Sequence, residues 1–197
     1  MHGFAYNIAE AMASCGHDVY AVDTRRYLES FTGNSTLQVS DVARDFAAIA
    51  RWVARSPNER VVLAGWSEGA GLCLLAAASN ENKRILSGLI VLGLGESNVL
   101  AWRWSDYLSY ITKKDPGEPS FQSADYLPRI APLRFYMIQS TGDRYTSKEA
   151  ARNLFSIAAE PKRFQWVEAR DHRFEGNQEG LFRALCEGLE WIRKTVP

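Results

Sequence analysis

Apolar residues recur along this chain with two alternating kinds of spacing. Phe4, Ile8, Met12 and Ala13 fall close to the period of a helix over 4–15, and Gly16 is placed to end it. Asp18-Val19-Tyr20-Ala21-Val22-Asp23 then predicts a strand, and the polar, glycine-containing stretch 24–39 predicts a loop. Ser40 can cap a second helix whose stripe of Val42, Phe46, Ile49 and Val53 makes one buried face, before Ser56-Pro57-Asn58 turns the chain. Short apolar runs at 60–64, 86–94 and 133–139 read as strands buried on both faces of a parallel sheet, with a last strand at 163–168. Residues 69–78, small and apolar throughout, suit a helix packed tightly on that sheet. Thr146 and Glu149 form a capping-box pattern for a helix through Phe155 to Ala158, and the final helix aligns Leu181, Phe182, Leu185, Cys186, Leu189 and Ile192.

Strands alternating with helices predict one α/β domain over 1–197, a mostly parallel sheet with helices on both faces and functional groups on the loops at the strands' C-terminal ends. Residues 97–130 differ in texture, because Trp102, Trp104, Tyr107, Tyr110, Phe121 and Tyr126 are interleaved with the polar run 113–119. This segment is expected to be a lid-like insertion that binds substrate, or a helix and loop whose aromatic rings complete the core.

Composition narrows the partners. The 197 residues are 46% hydrophobic and 23% charged, with 23 basic residues against 23 acidic ones, so no net charge recruits nucleic acid or an anionic membrane. No apolar run is long enough to span a bilayer. Cys15, Cys73 and Cys186 each lie in a predicted helix without metal-ligand spacing, which reads as buried free thiols, no metal centre and a reducing compartment. No signal peptide follows Met1, which implies the cytoplasm for the chain as numbered, or the periplasm if a signal peptide precedes it. Oligomeric state leaves no mark in the sequence.

The chemistry concentrates where the strand at 60–64 gives way to a helix. Gly65-Trp66-Ser67-Glu68-Gly69 fits Gly-X-Ser-X-Gly, in which a serine stands on a sharp, strained turn and the glycines let the flanking backbones pass closely. Two further strand-end loops carry Asp143 and His172, so Ser67, Asp143 and His172 occur in that order. A serine hydroxyl is a weak nucleophile unless an imidazole takes its proton, and the carboxylate orients that imidazole and stabilises its charged form. Glu96, after the strand at 86–94, is the alternative acid. Asp171 beside the base reads as a turn former.

This order and the elbow resemble the α/β-hydrolase superfamily, serine esterase type. The resemblance runs from the first helix to the last and implies a carboxylic-ester hydrolase with no metal or organic cofactor. It implies an oxyanion hole made by the amide of Glu68 and, from His2-Gly3-Phe4, by that of Phe4. It also implies that the fold lacks its first strands in the numbered chain. A narrower set, residues 22–27, the elbow and residues 172–177, is similar to the bacterial virulence proteins AcvB and VirJ. That group includes enzymes cleaving aminoacyl esters of phosphatidylglycerol, although the elbow departs at Glu68 and residues 97–130 do not follow its pattern. The triad carries over from that group but its lipid substrate does not follow; the expected substrate is a small-molecule or lipid ester, with Glu68 placed either to attract a cationic acyl group or to pair with a nearby arginine. The competing expectation is a non-catalytic, hydrolase-like module that binds a protein partner in virulence or secretion.

Overall fold

The computed structural model describes residues 3–31, 37–56, 59–101 and 119–194. Four parallel strands form the sheet, β1 (Val61–Trp66), β2 (Leu86–Leu92), β5 (Arg134–Ser140) and β6 (Lys162–Val167), in the order β1-β2-β5-β6. Two short strands, β3 (Ser97–Val99) and β4 (Ser120–Gln122), pair antiparallel outside it. The helices are α1 (Phe4–Ser14), α2 (Thr24–Phe31), α3 (Val39–Val53), α4 (Glu68–Ala78), α5 (Lys148–Ile157) and α6 (Gln178–Arg193).

Because side chains alternate across a strand, the continuous apolar runs of β2 and β5 feed two cores at once. Leu89, Val91, Phe135 and Met137 face a core shared with α2, α3, α4 and α5. Ile90, Leu92, Tyr136 and Ile138 face a second core built with α1 and α6. β1, at the end of the sheet, is only half-buried over Val61–Ala64. Helix α4 is buried at every position from Gly69 to Ala78, which explains why its sequence is small and apolar all round.

Several expectations are corrected. Residues 18–23 form no ladder: Tyr20 and Val22 remain exposed, and the segment is held by Asp18 to Arg55 at 2.8 Å, Val19 against the second core and Tyr20 against Trp52. β-branched residues alone do not make a strand without a neighbour to accept their hydrogen bonds. The expected loop at 24–39 contains helix α2, started by the Arg26 amide donating to Asp23 Oδ1 at 3.0 Å and supported by Arg25 and Glu29 one turn apart. Gln38 rather than Ser40 caps α3, in a capping box with Asp41. Ser147 rather than Thr146 caps α5, because Thr146 is buried and donates its hydroxyl to the Leu94 carbonyl at 3.1 Å.

The cysteine expectation also changes. Cys15 and Cys186 are joined in a disulfide, with Cα atoms 5.7 Å apart, that ties α1 to α6; Cys73 is a free buried thiol. The two helices pack through Ile8, Ala11 and Met12 against Leu181, Leu185 and Leu189, and that apolar contact brings the sulfur atoms together. Half of the expected lid, including Trp102, Trp104, Tyr107 and Tyr110, lies outside the described residues. Its described ends are core: Leu100, Phe121, Leu127 and Ile130 are buried, and buried Asn98 donates to Ser123 Oγ at 2.9 Å.

Candidate active site

Strand ends bring Ser67, Asp143 and His172 to one edge of the sheet. The ladder continues one step past β1, where the Ser67 amide donates to the Leu92 carbonyl at 3.0 Å, and past β2, where the Gly93 amide donates to Ile138 at 3.1 Å. Ser67 adopts φ 57° and ψ −124°, the strained geometry of a serine on a strand-to-helix turn. Gly65 is required there, because a Cβ would overlap the carbonyl of Gly69. Gly69 is not required in the same way: a Cβ on it would meet only the Thr24 side chain, at an ordinary 3.7 Å.

His172 is buried, and its Nδ1 lies 2.7 Å from Asp143 Oδ2. The same oxygen accepts from Gln139 Nε2 at 2.7 Å, while Oδ1 accepts from the amides of Tyr145 at 2.8 Å and Thr146 at 3.3 Å. Burial pushes the Asp143 carboxyl up, but the bond to His172 and these amides outweigh it and hold the carboxyl below its ordinary value. The other imidazole nitrogen, Nε2, is buried and has no hydrogen-bond partner among the described residues. With Nδ1 bound to the carboxylate, this leaves Nε2 as the free basic nitrogen.

Aromatic and backbone contacts fix the ring. Trp66 donates its indole N–H to the His172 carbonyl at 3.1 Å, and the Tyr145 ring stands edge-on at 5.0 Å between centroids. Gly93, at φ 60°, gives up its side chain to make room: a Cβ there would lie 2.5 Å from His172 Cε1. Asp171 forms the turn, its Oδ1 accepting from the Arg173 and Glu175 amides at 2.9 and 3.0 Å. Glu96 is exposed and is not the carboxylate that meets His172.

Glu68 opens α4 as its first residue, and Phe4 opens α1, its ring edge-on to Trp66 at 4.7 Å and stacked with Phe174 at 6.3 Å. Amides in a helix's first turn have no partner within the helix. Burial pushes the Glu68 carboxyl above its ordinary value, against the pull of its own amide, of His172 and of Arg25. Among the described residues no group of three or more His, Cys, Asp or Glu could hold a metal ion, and no helix is long and apolar enough to cross a membrane. A cavity of about 630 Å³ opens far from this edge, at the other end of α4, between Arg44, Leu75, Tyr126 and Arg129.

Residues 1–102, more than half of the chain, match the family model for the alpha/beta hydrolase fold. The chain belongs to the α/β-hydrolase family. Solved structures with this fold include the esterase domain of a Rhodothermus marinus protein, 18% identical with a TM-score of 0.61 over 96% of this chain and 79% of that one. The monoacylglycerol lipase of Paleococcus ferrophilus is 18% identical, TM-score 0.60, over 94% and 86%. A membrane phospholipase A described as a bacterial virulence factor is 16% identical, TM-score 0.65, over 98% and 78%. No curated protein matches the chain.

Sequence reasoning missed Gln139, Gly93, Tyr145 and the clamping role of Trp66. Gln139 did leave a signal, as the one amide closing the apolar run Phe135-Tyr136-Met137-Ile138, directly before the acid's loop.

Proposed function

We propose that this α/β-hydrolase is a serine hydrolase that cleaves carboxylic esters through an acyl-enzyme. Ser67 Oγ attacks the ester carbonyl carbon and its proton passes to His172 Nε2; Asp143 holds Nδ1–H and stabilises the imidazolium. The amides of Glu68 and Phe4 donate to the oxyanion. As the tetrahedral intermediate collapses, the alcohol leaves with the proton from Nε2. Water, deprotonated by the same nitrogen, then releases the acid and restores Ser67. The observation that carries this reading is the buried Nε2, without a partner among the described residues, of an imidazole whose other nitrogen sits 2.7 Å from a carboxylate, at the end of the sheet where a positive-φ serine follows β1.

The names of the neighbours, an esterase, a monoacylglycerol lipase and a phospholipase, support a small-molecule or lipid ester as substrate. The likeness to AcvB and VirJ favours an aminoacyl ester, with half-buried Glu68 facing a cationic acyl group, and a bacterial source. The Cys15–Cys186 disulfide favours an oxidising compartment such as the periplasm.

A fluorophosphonate probe tests the chemistry. The folded protein is expected to be labelled, and Ser67→Ala to lose the label. A well-folded protein that takes no label overturns the enzyme reading in favour of the binding module.

A further inference from the structure

Gln139 is fully buried at the end of β5, and its amide nitrogen lies 2.7 Å from Asp143 Oδ2, the very oxygen that meets His172 Nδ1. An ionised carboxylate only accepts, so the amide nitrogen faces it and the amide oxygen is turned away. That oxygen, Oε1, is buried and has no donor among the described residues. A buried amide with one half unsatisfied costs stability that an apolar side chain of similar volume would not. Packing therefore does not explain a glutamine here; its one polar contact is the carboxylate.

We propose that Gln139 is a positioning residue that competes with His172 for Asp143 Oδ2 and so sets the pH range over which His172 serves as base. Two donors on one oxygen share its electron density. The Gln139 bond weakens the pull of Asp143 on the imidazolium, because an oxygen that already accepts one hydrogen bond is a poorer acceptor for a second. Among the described residues, the charged groups around the imidazole include Glu68 from the start of α4, itself under the influence of Arg25 from α2, and its sequence neighbours Asp171 and Arg173. Trp66 from β1 and Tyr145 from the loop after β5 supply rings against it, and Gly93 supplies bare backbone. The side chains that meet Oδ2 are those of His172 and Gln139, so replacing Gln139 tests the competition directly.

The inference rests on His172 being the base, and its test does not need turnover. The imidazole of His172 is titrated by NMR in the full chain, identified by the signal lost in His172→Gln, for the parent, Gln139→Met and Gln139→Leu. The midpoint is expected to rise by about half a pH unit in both variants, a fraction of the worth of one hydrogen bond to an ionised carboxylate, with Tm unchanged or higher. The acidic limb of kcat/KM for a p-nitrophenyl ester moves up equally, while KM stays constant. An unchanged midpoint overturns the inference, as does a fall in Tm with the midpoint unmoved, which makes Gln139 a structural residue. A parent that hydrolyses no ester sinks the hydrolase reading alone, because the NMR midpoints still decide the role of Gln139.

Discussion

Asp143 and His172 are held by hydrogen bonds, whereas Ser67 is held by the shape of the backbone around it. At the first corner one carboxylate accepts from an imidazole, a buried amide side chain and two backbone amides, and the backbone carbonyl of His172 accepts from the Trp66 indole N–H. At the second, β1 ends at the margin of the sheet, the turn has room only because Gly65 has no Cβ, and Phe4 on α1 packs against Trp66 from outside. Changes that preserve volume should therefore injure the first corner, and changes that alter volume or loosen α1 should injure the second.

The sharpest break of that contrast is Asp143→Asn, which keeps the volume and removes the charge. Ester turnover is expected to fall by roughly 10⁴-fold with little change in KM. Because the Asp143 carboxyl is held below its ordinary value, its contribution to stability is present above the usual aspartate range and disappears as pH falls through the lowered value. The gap in Tm between parent and variant should thus close on acidification.

Gly93→Ala tests shape at the border of the two corners. A side chain at φ 60° is strained, and its Cβ would press on His172 Cε1 from 2.5 Å. Turnover should drop by about 10²-fold through displacement of the imidazole, and unfolding free energy by about 1–2 kcal/mol, read from kcat and chemical denaturation.

Opening the staple between Cys15 and Cys186 tests the second corner. The double serine variant, or the parent in dithiothreitol, should lose about 2–5 kcal/mol of stability. Fluorophosphonate labelling of Ser67 should slow as α1 loosens, while the NMR midpoint of His172 stays put. A shift in that midpoint would show that the corners are not independent.

The smallest effect is expected at Glu68. Glu68→Gln should reduce the preference for cationic over neutral esters by roughly two- to fivefold, the range of a partly exposed ion pair. Its carboxyl is pushed above the ordinary value, so the stability it lends to the fold is complete below the usual glutamate range and is lost as pH rises through the elevated value. Glu68→Gln should therefore raise Tm more at neutral pH than at pH 4.

Local pattern was sufficient where one segment carries its own reason. The apolar runs of β2 and β5, the small-residue helix α4 and the Gly-X-Ser-X-Gly turn are written in consecutive residues, and the loops bearing Asp143 and His172 follow from strand ends alone. Where the reason lies in a distant partner, the pattern misled. Val19 to Val22 have the composition of a strand but no ladder to join, Arg25 to Phe31 looked like loop until Leu28 found the core, and Thr146 gave its hydroxyl to Leu94 instead of capping a helix.

By itself, then, the sequence determined the α/β alternation, the elbow and the order of Ser67, Asp143 and His172 on successive strand-end loops, because periodicity and turn chemistry act over a few residues. Tertiary structure decided that Asp143 rather than Glu96 meets His172, that Gln139 shares its oxygen, and that Cys15 joins Cys186. Each of those depends on where side chains 4 to 171 positions apart arrive in space, and only the packed sheet sets those distances.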